Sequence, residues 1–319
     1  MDNTEQNLIA FGPVPSRRLG QSLGINNIPP KICTYCCVYC QLGRTIKVRF
    51  KRDGFYHPEN LITRVKKKIH QSRQQNAPID YLTFVPDGEP TLDINLGKEI
   101  KSLKSTGIKV AMITNASLLW KEDVRADLLN ADWVSLKIDS TMNETWRKID
   151  RAHRRLKLDN ILAGITSFSS SFTGLLTTET MMIQGLNDTA GEINGIAGLI
   201  SRIKPHKSYL AVPTRPPAEK WVHPASENTL HLAYQSFTKK GIKTEYLLGY
   251  EGNAFANTGN LEQDLLSITS VHPMREDAVE EYLARAKENW SFVKRLIQQK
   301  KLVEVFYGGK KFFLRKLSS

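Results

Sequence analysis

Residues 80–90, DYLTFVPDGEP, and residues 108–115, IKVAMITN, each run from a short apolar stretch into a polar turn. Residues 133–139, WVSLKID, repeat the pattern. Short apolar runs bounded by turn residues are typical of buried strands, and the connectors between these three runs are long enough to contain a helix. Strands that alternate with helical connectors predict βα units and a parallel sheet.

The same alternation extends in both directions along the chain. The predicted strands cover 21–27, 80–85, 108–113, 133–138, 174–183, 207–212 and 242–248. The predicted helices cover 58–73, 94–105, 121–130, 158–170, 188–203 and 226–240. About six βα units predict an α/β fold, a partial (β/α)6 barrel of the TIM type. In such barrels the functional groups lie at the C-terminal ends of the strands.

The end of the chain predicts a separate, smaller domain. Residues 251–260, EGNAFANTGN, have the composition of a linker, so we expect a barrel domain over 1–255 and a second domain over 261–319. The elements predicted there are two helices, 275–287 and 289–299, and two strands, 302–307 and 311–315. Gly308-Gly309 between the strands is a favoured hairpin turn. Helices followed by a hairpin predict a winged-helix-like fold.

The composition is that of a globular protein with a basic surface. The 319 residues carry a formal net charge of +13, and 40% of them are apolar. No window approaches the roughly 18 consecutive apolar residues of a membrane span, and the polar start MDNTE is unlike a signal peptide, so we expect no membrane partner. Disordered, collagen-like and small disulfide-bridged chains are excluded by the composition.

All four cysteines lie close together: Cys33, Cys36, Cys37 and Cys40. Disulfide frameworks spread cysteines along the chain, whereas such a cluster without a secretory signal indicates a metal site and the reducing cytoplasm. A zinc site usually takes four ligands from two separated C-x2-C pairs. Here the two pairs abut, and wrapping the adjacent Cys36 and Cys37 around one ion is strained.

Three thiolates from one short loop suit an iron–sulfur cubane. Each thiolate would bind a different iron, and the fourth iron would keep an open position for a substrate or a cofactor. On the spacing alone, a structural zinc knuckle and buried inert thiols are the alternatives.

The spacing Cys33-x3-Cys37-x2-Cys40, with the aromatic Tyr39 before the last cysteine, resembles the signature of the radical SAM superfamily. The resemblance implies that these three cysteines hold a [4Fe-4S] cluster, that Cys36 is not a ligand, and that the open iron chelates S-adenosyl-L-methionine (SAM). It implies an enzyme that cleaves SAM reductively and whose 5′-deoxyadenosyl radical abstracts a hydrogen atom from the substrate. The electron would come from a donor such as flavodoxin or ferredoxin, while the protein binds and orients the cofactors.

A second segment resembles a superfamily motif at the expected place. Residues 86–90, PDGEP, resemble its Gly-Gly-Glu turn with Asp87 in the first glycine position. The resemblance implies that Gly88 and Glu89 hold the ammonium group of SAM. A carboxylate beside a cation is favourable, and a glycine permits close backbone approach. Taken alone, the segment favours an ordinary turn.

Five more residues are candidate SAM contacts by the same resemblance: Tyr39, Asn115, Ser135, Lys137 and Asp139. Tyr39 would lie near the adenine. Asn115 follows the third strand in the order of the superfamily motifs. Ser135, Lys137 and Asp139 would contact the ribose and the carboxylate of SAM. Without the resemblance, the turn at Asn115 would be interpreted as a helix cap, and Ser135, Lys137 and Asp139 as one solvent-exposed face of a strand. We expect Met181-Met182 to be core rather than a cofactor wall.

Two further segments, VPSRRLG at 14–20 and NNIPPKIC at 26–33, resemble a group of archaeal and bacterial iron–sulfur oxidoreductases. That group is related to the wybutosine-synthesis enzymes, which modify tRNA. Those enzymes carry a second cluster on additional cysteines, and this chain has no cysteine to spare. We therefore do not expect a wybutosine synthase.

Three segments are strongly basic: 47–73, 147–157 and the tail 285–319, where ten Lys or Arg against two Glu give a net charge of +8. A basic chain with a winged-helix candidate predicts a nucleic acid such as RNA as partner, because neutralised phosphates drive affinity. Solvated helix faces and a tail that grips a peptide substrate are the alternatives. Arg17-Arg18 either holds an anionic substrate at the barrel mouth or pairs with a carboxylate.

The sequence therefore predicts a radical SAM enzyme that acts on an unidentified substrate. Two other functions are compatible with the same motifs, a non-catalytic iron–sulfur redox sensor that binds nucleic acid and a peptide- or protein-modifying radical SAM enzyme. A sensor needs no cofactor cradle, so the Gly88-Glu89 turn and Tyr39 favour the enzyme.

Overall fold

The central feature of the fold is one eight-stranded sheet. In this computed structural model, the structure describes residues 9–248, 255 and 260–316. The sheet order is β1 (Ala10–Ser16), β2 (Gly20–Ile25), β5 (Tyr81–Phe84), β6 (Lys109–Thr114), β7 (Trp133–Lys137), β8 (Leu175–Met181), β9 (Lys207–Ala211) and β10 (Thr244–Leu247). β1 pairs antiparallel with β2, and all the other neighbours are parallel. Two short strands, β3 (Ile32–Cys33) and β4 (Lys47–Val48), form a separate parallel pair.

Helical connectors separate the parallel strands, as predicted. They are α1 (Pro58–Gln74), α2 (Leu96–Lys104), α3 (Glu122–Leu128), α4 (Asn143–Asp150), α5 (Leu158–Ser171), α6 (Ala190–Ile203) and α7 (Glu227–Lys239). Six βα units followed by β10 give an α/β fold with a mostly parallel sheet, open between β1 and β10 among the described strands. This is the arrangement of a partial barrel. Among the described helices, none is both long and apolar enough to cross a membrane.

Two elements of the barrel, β1 and α4, were not predicted. The β1 sequence AFGPVPS contains two prolines and a glycine, which argue against a strand unless it lies at a sheet edge, as β1 does. The α4 sequence NETWRKID is short and mostly polar, and only Trp146, Ile149 and Asp150 of it are buried. Neither segment carries enough apolar periodicity to reveal its secondary structure.

Alternation of side chains along the strands separates the hydrophobic core from the barrel interior. Leu82 and Phe84 of β5 belong to the large core that also contains Leu61 of α1. Thr83, between them, faces the interior, as does Ser135 of β7. Small and polar residues on the inner face leave a space inside the partial barrel.

A C-terminal unit, residues 260–316, follows the barrel. Its elements are α8 (Leu261–Val271), β11 (Met274–Arg275), α9 (Glu276–Arg285), α10 (Trp290–Gln298), β12 (Leu302–Tyr307) and β13 (Lys310–Arg315). The three strands form a sheet in the order β11-β13-β12. The two predicted helices and the hairpin are confirmed, whereas α8 and β11 were not predicted. The predicted linker 251–260 lies outside the described residues except for 255 and 260.

The C-terminal unit packs against the barrel through both apolar and polar contacts. Phe11 of β1 lies in one hydrophobic core with Leu265 of α8. The Tyr307 hydroxyl of β12 donates to the carbonyl oxygen of Pro213, just after β9, at 3.0 Å. Apolar and polar contacts therefore attach the unit both to the first strand of the sheet and to a loop at the strand ends.

Two carboxyl groups, Asp93 and Glu99, are fully buried beside α2. Neither carboxylate oxygen of Glu99 has a hydrogen-bond partner within the described residues. Burial, reinforced by the negative charges of Asp93 and Asp127, raises the pKa of Glu99 to about 9. Burial also raises the pKa of Asp93 to about 7. Glu99 is therefore protonated in the folded protein near neutral pH.

We expect Glu99→Gln to stabilise the protein increasingly as the pH rises. Because the folded-state pKa of Glu99 lies above its ordinary value of 4.5, its contribution to wild-type stability is full below that value and is lost as the pH rises towards about 9. Glutamine is neutral throughout, so the difference should grow by at most roughly 1.4 kcal/mol per pH unit. Thermal unfolding at about pH 5 and about pH 8 measures the effect. The exposed Glu122→Gln is the control, and an equal melting-temperature difference at both pH values would contradict the protonated state.

Candidate active site

The C-terminal ends of the strands surround a cavity of about 340 Å³. Its wall combines cysteines, backbone turns, charged side chains from the barrel interior and the end of α8. The lining includes Cys33, Cys40, Asp87, Gly88, Thr114, Ser135, Lys137, Glu179, Met181, Arg215, Val271 and His272. Residues far apart in the sequence therefore meet where barrels of this kind hold their reactive groups.

The cysteine loop, residues 33–40, is attached to the end of α4. The backbone N–H groups of Cys36 and Val38 donate to the carbonyl oxygens of Asp150 and Ile149, both at 2.9 Å. All four cysteines are half-buried and none forms a disulfide. These backbone contacts hold the loop at the end of the barrel independently of any metal.

Three of the four thiols share one environment. Burial raises the pKa of Cys33, Cys37 and Cys40. Negative charge on Cys40 raises the pKa of Cys33 further, and negative charge on Cys33 and Cys40 does the same for Cys37. Cys36 instead interacts electrostatically with Arg44. Thiols in such a setting become thiolates beside a strong positive charge such as a metal ion. The grouping therefore fits Cys33, Cys37 and Cys40 as a ligand set.

The described side chains do not form a site for a single metal ion, which does not argue against a cluster. Within residues 9–248, 255 and 260–316, no three His, Cys, Asp or Glu side chains converge on a single ion. The thiolates of a cubane each bind a different iron, so they need not converge on one point. A three-thiolate cluster site is therefore compatible with the geometry.

Glu89, which is only 1% exposed, is the shared hydrogen-bond acceptor of the polar network beside the cysteines. Its Oε1 accepts hydrogen bonds from the backbone N–H of Thr91 at 3.1 Å and from the hydroxyls of Thr91 and Thr114, both at 2.6 Å. Its Oε2 accepts from the backbone N–H of Asn115 at 2.8 Å. Burial raises the pKa of Glu89, and these hydrogen bonds oppose the rise. The carboxylate joins the turn after β5 to the turn after β6, and it lies behind the cavity wall.

Gly88 lets the turn after β5 touch the strand that carries the first cysteine. A Cβ atom on Gly88 would lie 2.0 Å from the carbonyl oxygen of Ile32, far inside contact distance. The N–H of Glu89 donates to the same oxygen at 3.2 Å. The preceding Asp87 pairs with Lys31 at 3.2 Å, and burial raises its pKa to about 6 against the opposing charge of that lysine. The turn is therefore shaped by its contact with β3.

The side chain of Asn115 is held in one orientation. Its Oδ1 accepts from the N–H of Ser117 at 3.0 Å, and its Nδ2 donates to the hydroxyl of Thr34 at 2.8 Å. The same Nδ2 lies 3.6 Å from the Sγ of Cys33. Hydrogen bonds to the sulfurs are among the factors that set the potential of an iron–sulfur cluster. Asn115, predicted as a SAM contact, therefore faces the sulfur of Cys33.

Three charged side chains form ion pairs in the barrel interior. The Nζ of Lys137 donates to Oε1 of Glu179 at 2.9 Å, and Arg18 binds Oε2 of the same carboxylate. Burial favours the neutral form of Glu179, but Lys137 and Arg18 outweigh it and lower the pKa to about 2. The lysine ammonium also lies 4.7 Å from the centre of the Tyr39 ring. Two roles were predicted for Arg17-Arg18, and Arg18 has the second of them, because it pairs with the carboxylate of Glu179.

The seven predicted SAM contacts fall into two groups. The cavity wall includes Tyr39, Gly88, Ser135 and Lys137. The other three, Glu89, Asn115 and Asp139, lie behind this wall and bond to it. Asp139 accepts from the Tyr39 hydroxyl and from the N–H of Met181, the latter at 2.8 Å. Ser135 is 1% and Asp139 3% exposed, so these strand residues do not form a solvated face.

Sequence reasoning missed two residues of the site and misplaced a third. Glu179 is the one charged residue in the strand LLTTETM, and a lone charge in a buried strand was a usable signal. Asp150 accepts from the Cys37 thiol at 3.3 Å, but it ends a polar helix and carries no local signal. Met182 lies in the core as predicted, whereas Met181 lines the cavity, because neighbours on a strand face opposite sides.

Comparisons with known proteins decide the family. The family model of the radical SAM superfamily matches residues 27–193, which include the cysteine loop and the turns around Glu89 and Asn115. This chain belongs to the radical SAM superfamily. It is a radical SAM enzyme, which sets aside the non-catalytic sensor, and the family implies a [4Fe-4S] cluster, SAM, an electron donor and a substrate.

Relatives of this radical SAM enzyme extend the match over nearly the whole chain. A UPF0026 protein of Methanocaldococcus jannaschii is 46% identical over 316 residues, which are 98% of this chain and 97% of that protein. A UPF0026 protein of Helicobacter pylori strain J99 is 33% identical over 66% of this chain and 68% of its own length. The first of these alignments includes both the barrel and the C-terminal unit.

Solved structures share the fold of this radical SAM enzyme. A structure of TYW1 with a lysine-pyruvate adduct bound aligns with a TM-score of 0.53 and 16% identity, over 68% of this chain and 73% of that chain. A radical SAM methyltransferase from Sphaerobacter thermophilus aligns with a TM-score of 0.52 and 12% identity, over 71% of this chain and 66% of that chain. At such identities the likeness is one of fold alone.

We expect Gly88→Ala to destabilise the enzyme. The added Cβ would collide with the backbone of Ile32, and overpacking of this kind costs roughly 1–3 kcal/mol. Gly198→Ala in α6 is the matched control, because its Cβ would meet no atom within 4 Å and alanine favours a helix by about 1 kcal/mol. Urea unfolding of both variants gives the free energies. A Gly88→Ala protein as stable as the wild type would show that the turn does not need this contact.

Proposed function

We propose that Cys33, Cys37 and Cys40 hold the [4Fe-4S] cluster of this enzyme and that Cys36 does not ligate iron. A bound cluster and SAM would supply a 5′-deoxyadenosyl radical, formed together with methionine when an external donor provides one electron, and this radical would take a hydrogen atom from the substrate. The observation that carries the proposal is that Cys33 and Cys40 line the cavity at the C-terminal ends of the strands. The shared burial of the three thiols supports the same ligand set.

The cavity wall offers SAM a complementary surface. The Asp87-Gly88 turn presents backbone groups to the ammonium, because Gly88 has no side chain to cover them. Lys137 supplies a positive charge for the carboxylate, and Ser135 supplies a hydroxyl for the ribose. The Tyr39 ring offers the adenine a flat apolar face.

Glu89, Asn115 and Asp139 are positioning residues in this proposal. Each is bonded to a residue of the wall or of the cysteine loop rather than lining the cavity itself. A buried carboxylate that accepts several hydrogen bonds holds its donors in one geometry. Glu89 therefore acts on SAM through the turns that it joins.

The C-terminal unit limits access of water to the cavity. Val271 and His272, at the end of α8, belong to its wall. Gln41 donates to the carbonyl oxygen of Val271 at 3.2 Å, and Arg215 lies 3.0 Å from the ring of His272. A reactive radical requires a site from which water and competing groups are excluded. The substrate therefore enters next to the C-terminal unit.

We infer that the barrel domain covers 1–255 and that 261–319 form a winged-helix domain that recognises the substrate. The element order α8-β11-α9-α10-β12-β13, with a hairpin after the last helix, supports this assignment. The net charge of +8 over 285–319 favours a nucleic acid such as RNA over a peptide as substrate. We take a flavodoxin or ferredoxin as the electron donor, and the unbridged cysteines support a reducing compartment such as the cytoplasm.

We expect Cys33→Ser, Cys37→Ser and Cys40→Ser each to abolish cluster binding, because each removes one of three iron ligands. Cys36→Ser is the matched control and should keep the cluster. The measurements are iron and sulfide content after anaerobic reconstitution, the electron paramagnetic resonance signal of the reduced cluster, and 5′-deoxyadenosine formed with SAM and a reductant. Equal iron loss in Cys36→Ser, or one zinc and no iron in the wild type, would refute the ligand set.

We expect Glu89→Gln to keep the cluster but to bind SAM less tightly. The amide keeps one acceptor oxygen and places an NH₂ group against a donor, which mispairs a buried group at a cost of about 1–3 kcal/mol. Expressed in SAM binding, a cost of this size weakens the affinity by about 5- to 150-fold. Equilibrium binding of SAM to the reconstituted protein measures the change, with the exposed Glu144→Gln as control. Unchanged SAM affinity in Glu89→Gln would remove Glu89 from the proposal.

A further inference from the structure

Charge is segregated on the C-terminal unit. The acidic side chains of α9 are Glu276, Asp277, Glu280 and Glu281. The segment 290–316, from α10 to the end of the hairpin, carries eight Lys or Arg and one Glu. The two groups meet where Lys311 of β13 pairs with Glu276 of α9 at 2.6 Å, and the segment 290–316 keeps an excess of positive charge.

The exposed face of α10 consists of hydrogen-bond donors. Ser291, Lys294, Arg295 and Gln298 are exposed and follow the i, i+3, i+4, i+7 spacing of one helix face. The opposite face packs into the core of the unit through buried residues such as Phe292. The exposed face carries no acidic residue, so its donors suit the oxygens of phosphate groups and the acceptor atoms of base edges.

The hairpin adds an exposed aromatic ring to this positively charged segment. Phe306 of β12 is 73% exposed, although Phe312 and Phe313 of the partner strand are buried. The ammonium of Lys311 lies 5.8 Å from the Phe306 ring. A solvent-exposed ring between lysines gives a base a stacking surface and gives the adjoining phosphates a positive charge.

Several of these cations lack an internal acidic partner. Glu262 lies within ion-pair distance of Arg295 and Lys301. Within the described residues, Lys294 and Lys310 have no carboxylate within ion-pair distance and are exposed. Their charges are therefore available to an external anion.

The hairpin adjoins the cavity. Tyr307, next to Phe306 in β12, donates to the carbonyl oxygen of Pro213 at 3.0 Å, and Pro213 lines the cavity. Because successive strand residues face opposite sides, a ligand stacked on Phe306 would lie near the rim of the cavity but on the side of the hairpin away from the Pro213 contact.

We propose that α10 and the β12–β13 hairpin form a docking face for the phosphodiester backbone of a nucleic acid, which brings a nucleotide to the adjacent cavity. The docking face is inferred from charge, exposure and the aromatic ring. The delivery of a nucleotide rests on the proposed radical function. RNA and DNA share the backbone chemistry, so the test includes both.

The test compares two variants of the full chain with equal changes of charge. Lys294→Glu/Lys310→Glu alters the docking face, and Lys66→Glu/Lys67→Glu alters two exposed lysines of α1. Fluorescence anisotropy measures the affinity of each folded protein for single-stranded RNA, total tRNA and duplex DNA between about 50 and 200 mM salt. The docking-face variant should bind at least about tenfold more weakly, with a salt slope smaller by roughly 2, while the α1 variant changes less than about threefold.

A third variant tests the aromatic ring. Phe306→Ala should weaken binding of single-stranded RNA about fivefold or more and affect duplex DNA less, because only unpaired bases stack on a side chain. The preferred ligand among the three distinguishes RNA from DNA.

Three outcomes would overturn the docking face. They are the absence of binding to any of the three nucleic acids at about 50 mM salt, equal losses in the two charge variants, and binding only to an acidic peptide such as polyglutamate. The assay needs neither SAM nor a reductant, so its failure is separate from a failure of the radical chemistry.

Discussion

The buried carboxylate of Glu89 connects the parts of the candidate site. A charged group inside a protein is tolerated only when its hydrogen-bonding capacity is used, and Glu89 accepts from Thr91, Thr114 and Asn115. These donors belong to the turns after two neighbouring strands, β5 and β6. The adjoining Gly88 brings the first of these turns against Ile32, next to Cys33. One short segment thus connects the sheet to the strand that carries the first cysteine.

A second buried carboxylate of the site, Glu179, is paired with Lys137 and Arg18. Glu179 is ionised because Lys137 and Arg18 outweigh its burial. Buried ions without partners would take up or release protons and alter the electrostatics of the wall. The C-terminal unit contributes to this wall through His272, so the two parts of the chain meet at the cavity.

Most regular elements could be predicted because each has a strong local pattern. The predicted helix 58–73 and strand 80–85 agree closely with α1 and β5, where apolar residues recur at the spacing that burial on a barrel requires. α8 escaped prediction because it is buried on nearly all sides and includes buried polar residues such as Asp264 and Thr269, which hide its periodicity. The edge strand β1 was not predicted, because its prolines are compatible with a strand only at the edge of a sheet. Whether a strand lies at an edge cannot be inferred from its own sequence.

The family and the proposed ligand set rest on short stretches of sequence, since the spacing of three cysteines in one loop and a glycine before a glutamate are local features. The division of the candidate contacts into those that line the cavity and those that support it required the assembled fold. So did the ion pairs of Glu179, whose partners lie 42 and 161 residues away in the chain. Whether a strand residue faces the cavity or the core depends on the register and pairing of neighbouring strands, and that information is distributed over the whole sheet rather than carried by any one segment.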